Sequence, residues 1–255
     1  MSDLKKYENI PQGDMPGDKI CIGEDHVKKA ELIFPKLKEE IASLEEKGQK
    51  KIVVCVCGGS GVGKSEIASL LSFMMTEDGR KSYVLSGDNY PHRIPCENDA
   101  MREKRYEEGG EESLKAYLGS QDEIDFEKVD SILKSFKNGD KTISLKRMGR
   151  TSEELWYDDV DFSDTEIVFL EWTHGNSDHL SQVDIPVLLN STPEETLAHR
   201  RARNRDGAVD SPFVMMVLNF EQEMLKAQAH KAKIIVSKSG ELMTYDEYKS
   251  VMGLQ

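Results

Sequence analysis

Long apolar runs are missing from this chain. No stretch approaches the ~20 residues needed to span a bilayer, so a membrane-spanning protein is not expected. The opening "MSDLKKYENIPQGDMPGD" has no apolar core of the kind a secretory signal carries, and a cytoplasmic location is expected. Basic charge is also in deficit: 34 Lys and Arg stand against 47 Asp and Glu, for a net charge of -13. Such a surface repels phosphates, which argues against a general nucleic-acid or anionic-membrane binder. Cysteine is scarce. Cys55 and Cys57 alternate within one apolar run, and Cys21 and Cys96 lie far from it, so neither a zinc set nor a disulfide framework is indicated. No internal repeat or low-complexity tract is present.

What is present alternates between strands and helices. Residues 1–48 read as an N-terminal arm and a helix. Its apolar residues Val27, Leu32, Ile33, Leu37, Ile41 and Leu44 recur at helical spacing, and Pro35 is expected to kink or split it. Residues 49–255 read as one domain with strands at "KIVVCVC", "KSYVLSGD", "EIVFLEW", "IPVLLNS" and "AKIIVS". Helices are expected after Gly63, near 111–118, over 125–138, from Thr192–Pro193, and around 209–230, and the rest of 91–150 reads as charged and irregular. The expected fold is α/β, a doubly wound, mostly parallel five-stranded sheet. Ligands of such sheets bind beyond the carboxyl ends of the strands.

The strongest signal is Gly58-Gly59-Ser60-Gly61-Val62-Gly63-Lys64-Ser65, which fits G-x-x-x-x-G-K-[ST] between a strand and a helix. Glycines let the backbone wrap a phosphate, and the helix N-terminus adds its positive dipole end. The reading assigns residues 58–66, Glu66 included, to nucleotide binding, with Lys64 on the β- and γ-phosphates and the Ser65 hydroxyl on Mg²⁺. ATP and Mg²⁺ are the expected cofactors.

The next question is where the terminal phosphate goes. The N-K-x-D stretch of guanine-reading switches is absent, and "IVFLEW" ends in the single acid Glu171, a candidate magnesium contact. Asp88 follows the second strand directly and is placed to accept the proton of an incoming hydroxyl, or to share the metal. Tyr90, His92 and Arg93 follow on the same loop as candidate acceptor contacts. Lys146, Arg147 and Arg150 form a small basic cluster suited to an anionic acceptor. Trp172, His174 and Asn176 are further pocket candidates.

Together the phosphate loop, "GDNY", "IDFEKVDSILKSFKNGDKT", Glu171 and the arginine-rich "ETLAHRRARNRDGAV" resemble the uridine kinase and phosphoribulokinase group of P-loop kinases over about residues 50–236. The resemblance implies a nucleoside-kinase-like fold with a lid near 195–210. It also implies Asp88 as base, Glu171 at the magnesium ion, and Arg201 and Arg205 as lid arginines, with Arg200 and Arg203 as weaker matches. Dimers or tetramers are common in that group, so a homo-oligomer is open.

Two departures point away from uridine. "ISLKRMGRTSEELWYDDVDF" lacks the family's P-x-Y-D turn, and "EWTHGNSDHL" replaces its Glu-Gly. "SGDNYPHR" also resembles adenylylsulfate kinases, which gives an alternative acceptor. A reading of another class is an ATP-binding regulatory protein that phosphorylates no metabolite. The favoured expectation is an ATP- and Mg²⁺-dependent kinase acting on a hydroxyl of a nucleoside, sugar or hydroxy acid.

Overall fold

The computed structural model describes residues 4–203 and 210–254. An arm with one 3₁₀ turn (Leu4–Tyr7) leads into α1 (Glu24–Glu45), then β1 (Ile52–Gly58), α2 (Lys64–Glu77) and β2 (Ser82–Ser86). The middle of the chain holds α3 (Pro95–Tyr117), α4 (Phe126–Asn138) and the strands β3 (Thr142–Met148), β4 (Leu155–Asp161) and β5 (Ile167–Glu171). β6 (Ile185–Leu189), α5 (Pro193–Arg203), α6 (Pro212–Gln228), β7 (Ile234–Val236), β8 (Leu242–Met243) and α7 (Tyr245–Met252) complete it.

The main sheet has the order β2-β5-β1-β6-β7-β8. The five expected strands all run parallel, and the two-residue β8 adds an antiparallel edge. β1 is central, and every one of its residues is buried, as its uninterrupted apolar run requires. Alternate residues serve opposite faces. Ile52, Val54 and Val56 pack with α1 and α2, whereas Val53 joins α4, and Cys55 and Cys57 join α6 and α7. All four cysteines are free thiols, those two buried. Among the described residues, no helix is long and apolar enough to cross a membrane.

Three local expectations are corrected. α1 continues through Pro35 without a break. Pro35 lies on the solvent face, so the Glu31 carbonyl that it cannot bond is left to water. The short helix expected near 111–118 is present as the part of α3 after a break at Gly110 (φ 65°, ψ -158°), but residues 95–109, read as irregular, are helical as well. The stretch read as irregular also hides β3, which pairs with β4 beyond it in an antiparallel hairpin. β4, "LWYDDVD", is almost wholly exposed and so carries none of the apolar alternation that announces a half-buried strand.

Candidate active site

The phosphate loop joins β1 to α2 at the carboxyl edge of the sheet. Gly58 cannot carry a side chain, because a Cβ there would lie 2.5 Å from the Leu189 carbonyl oxygen of β6. Gly63 turns the chain into α2 from the left-handed region, at φ 97°. The amides of Lys64, Ser65 and Glu66 open that helix and are left for an anion. Lys64 Nζ donates to the Gly59 carbonyl at 3.2 Å and so curls back over the loop.

Glu171, the last residue of β5, meets this loop. Its Oε2 accepts from Ser65 Oγ at 3.1 Å, and its Oε1 accepts from Ser86 Oγ at 2.7 Å. Burial pushes the Glu171 carboxyl up to about 8, with the neighbouring Asp88 charge adding to it and Lys64 opposing. A buried carboxyl beside a second acid and a hydroxyl is a hard-oxygen set that a cation would relieve. Ser65, Glu171 and Asp88 therefore fit Mg²⁺. Asp88 is exposed on the 3₁₀ turn Gly87–Asn89 at the end of β2. The turn is held by its buried neighbour Asn89, which accepts from the Met148 amide at 3.0 Å and donates to Asp14 at 3.2 Å.

Other expected contacts fall elsewhere. Tyr90 is fully buried in the core with Leu85, Ile124 and Phe126. Trp172, 1% exposed, packs on Phe126 with ring centroids 5.3 Å apart. Both are core residues rather than acceptor contacts. His92 is exposed, with Nε2 2.9 Å from the Gln121 carbonyl, and Arg93 donates to Tyr117 Oη at 3.1 Å and the Asp122 carbonyl at 3.2 Å. These contacts brace the loop after Asp88 against the α3–α4 connection.

The basic cluster is dispersed too. Arg147 is buried against Asp14 (2.8 Å), Asp158 (3.1 Å) and Tyr83 Oη (3.1 Å). Lys146 Nζ donates to the Pro91 carbonyl at 2.8 Å. Arg150 lies exposed in the hairpin turn, where its amide donates to Glu154 at 2.8 Å. Asn176 donates to the Gln228 carbonyl at 2.8 Å and pins the β5–β6 loop to α6.

Arg200, rather than Arg201, is the lid arginine that faces the loop. A Cβ on Gly61 would lie 2.9 Å from Arg200 Cγ. Arg200 Nη1 donates to the Pro193 carbonyl at 2.7 Å and to Thr196 Oγ1 at 2.5 Å, and among the described residues its buried Nε has no partner. Arg201 points outward, 59% exposed, and pairs with Asp210. Arg205 lies outside the described residues.

Sequence reasoning missed a buried acidic wall whose two carboxyls, Glu123 and Glu221, share Arg102. Glu123 Oε1 accepts from Arg102 Nε at 2.7 Å and Asn98 Nδ2 at 2.9 Å, and its Oε2 accepts from the Gly119 amide at 2.6 Å. Burial alone would raise Glu123, but Arg102 and these amides outweigh it and hold the carboxyl below its usual range. Glu221 of α6 lies 3.9 Å from Arg102, is raised by burial, and feels Lys64 and Asp88. It also lines a narrow recess with Gly59, Ser60, Thr196 and Arg200. No local spacing marks these residues, since α3, the α3–α4 loop and α6 converge only in the fold. A separate cleft of about 480 Å³ near Glu45, Lys51 and Glu166 lies at the amino ends of β1 and β5, away from all of these groups.

His174 also faces this wall. Burial is the main influence and lowers its pKa to about 4, with Glu123 opposing and Arg102 reinforcing. Between the unfolded value near 6.5 and about 4, the unfolded state binds the extra proton. Stability is therefore present above pH 6.5 and lost as pH falls through this window. Denaturant midpoints measured across it should fall less steeply in His174→Gln than in wild type, and equal slopes would remove His174 as the cause.

Comparison with known proteins agrees with this geometry. The model of the "Phosphoribulokinase / Uridine kinase family" matches residues 53–238. A bifunctional alpha-galactosidase/sucrose kinase of Mediterraneibacter gnavus is 44% identical over 218 residues, which cover 82% of this chain and 23% of that protein. The chain thus spans under a quarter of this relative. The adenylyl-sulfate kinase of Aeromonas hydrophila is 37% identical over 70 residues, 26% of this chain and 36% of that protein. The phosphoribulokinase structure from Rhodobacter spheroides superposes with a TM-score of 0.57 at 14% identity, covering 74% of this chain and 70% of that one, a likeness of fold alone. With the family model matching residues 53–238, most of its length, the chain belongs to the phosphoribulokinase and uridine kinase family of P-loop kinases.

Proposed function

We propose that the protein transfers the γ-phosphoryl group of ATP to a hydroxyl of a neutral sugar, a disaccharide such as sucrose being the first candidate. The observation that carries this reading is the 44% identity to the sucrose kinase-containing relative over 82% of the chain. The charges near Asp88 support it. Arg147 and Lys146, the expected anion contacts, are engaged with Asp14 and the Pro91 carbonyl. Glu123 is itself held by Arg102, Asn98 and the Gly119 amide, and Glu221, raised by burial, is the acid that feels Asp88, so among the described residues no unengaged cation is indicated there for an anionic acceptor. The similarity to adenylyl-sulfate kinase covers only 26% of the chain.

In this reading Lys64 and the loop amides hold the donor phosphates, and Ser65 and Glu171 hold Mg²⁺. When bound, the metal neutralises charge on the β- and γ-phosphates. Asp88 orients the acceptor hydroxyl and takes its proton as the hydroxyl oxygen bonds to the γ-phosphorus. The bond from that phosphorus to the bridging oxygen breaks, and ADP leaves. Arg200 covers the phosphate loop from the lid.

The test is acceptor-dependent ADP release from Mg-ATP against disaccharides, monosaccharides, sugar phosphates, nucleosides, hydroxy acids and adenylyl sulfate. A response confined to neutral sugars is expected. A response to adenylyl sulfate or a nucleoside alone would overturn the sugar assignment.

A further inference from the structure

The N-terminal segment lies outside the matched family region of 53–238, yet it packs around the phosphate site. Gly13 passes Glu171, so that a Cβ on it would lie 3.7 Å from Glu171 Oε1. Asp14 accepts from the Ser86 amide at 2.7 Å and from Arg147 at 2.8 Å, which ties the arm to the end of β2 and to the hairpin. The Cys21 amide lies 3.5 Å from Glu66 Oε1, at the first turn of α2. α1 is then fixed against α2, with Val27, Ala30, Ile33, Leu37 and Ile41 buried in the core that also holds Ile67, Leu70 and Leu71.

This packing fixes His26, on the first turn of α1, beside Gly63. A Cβ built on Gly63 would lie 3.0 Å from His26 Nε2 and 3.2 Å from Cδ2. The imidazole edge thus faces the left-handed corner from which the Lys64, Ser65 and Glu66 amides open toward an anion. The ring's other nitrogen is engaged, since Nδ1 accepts from the Gly23 amide at 3.1 Å. An acceptor Nδ1 leaves the proton on Nε2, the atom turned toward the loop. Burial is the main influence on the ring and lowers its pKa; Glu66 and the Cys21 carbonyl oppose this, and Lys29 and His199 add to it.

From this geometry we infer that His26 is a nucleotide-binding residue, whose Nε2–H donates to the phosphate seated at the start of α2. The N-terminal helix then supplies one wall of the donor site. A side-chain donor from α1 adds to the loop amides that wrap that phosphate. Because α1 is packed on α2 through five apolar residues, the donor is held in place before nucleotide arrives.

The inference rests on the kinase reading for the identity of the ligand. Its test is calorimetric titration of the full chain and its variants with Mg-ATP and Mg-ADP. His26→Ala should weaken both by about tenfold, the size of one hydrogen bond to a charged group, and equally, since both nucleotides share that phosphate. His26→Gln places an amide N–H near the Nε2 position and should restore most of the affinity. The KM for acceptor should not move in either variant, and the melting temperatures control for folding. His26→Ala with wild-type nucleotide affinity overturns the inference alone, and so does His26→Gln as weak as His26→Ala. A wild-type protein that binds no Mg-ATP overturns the kinase reading as well.

Discussion

Asp88→Asn is expected to lower kcat by about 10²- to 10⁴-fold, the range general-base removal commonly gives, and to leave Mg-ATP affinity intact. The substitution keeps the shape of the side chain and removes its capacity to take a proton. The backbone around it should not move, because the turn is set by its neighbours. The Tyr90 amide donates to the Gly87 carbonyl at 3.0 Å, and buried Asn89 is anchored to Met148 and Asp14. Asp88 also raises the pKa of Glu171, so the variant separates two roles for it. A fall in kcat at unchanged magnesium requirement assigns proton acceptance. A large increase in the magnesium needed for half-activity assigns a metal contact instead. Turnover near wild type would remove Asp88 from the chemistry.

Lys64→Met should abolish measurable transfer. Its loss is expected to reach about 10²- to 10³-fold or more, because a preorganised charge on the transferring group is removed from a largely enclosed site. Lys64 is not a stability residue: among the described residues its hydrogen bond is to the Gly59 carbonyl, within the loop it serves. The melting temperature of the nucleotide-free variant should therefore match wild type, while stabilisation by added Mg-ATP should shrink with the lost affinity. Retained transfer in Lys64→Met would mean that another cation holds the γ-phosphate. Arg200, buried above Gly61, would be the residue to replace next.

The parts of this protein that were legible in the sequence are those where local chemistry decides. Five apolar runs gave five parallel strands, and the spacing of Gly58, Gly63, Lys64 and Ser65 placed the phosphate loop between strand and helix. Asp88 and Glu171 were found because strand ends of a parallel sheet converge, and they do lie close enough to perturb one another.

What was misplaced depends on partners far along the chain. Arg147 reads as a free basic residue until Asp14, 133 positions earlier, is brought against it. Tyr90 follows a polar turn and Trp172 an acidic strand end, but both insert into the core that holds Phe126. Arg200 and Arg201 differ by one step of about 100° around α5, and helix phase decides which faces the loop. The arginine-rich composition does not encode that phase. The acidic wall was invisible for the same reason as the place of His26: neither is a motif, and each exists only where separate elements meet.

The central claim is that phosphate passes from ATP to a sugar hydroxyl and not to water. The most direct test is mass spectrometry of sucrose incubated with the protein and Mg-ATP, alongside the Lys64→Met variant. The account predicts a sugar product heavier by one phosphoryl group, formed mole for mole with ADP and absent with the variant. ADP accumulating with inorganic phosphate and unmodified sugar, across sucrose and the other neutral sugars, would contradict it.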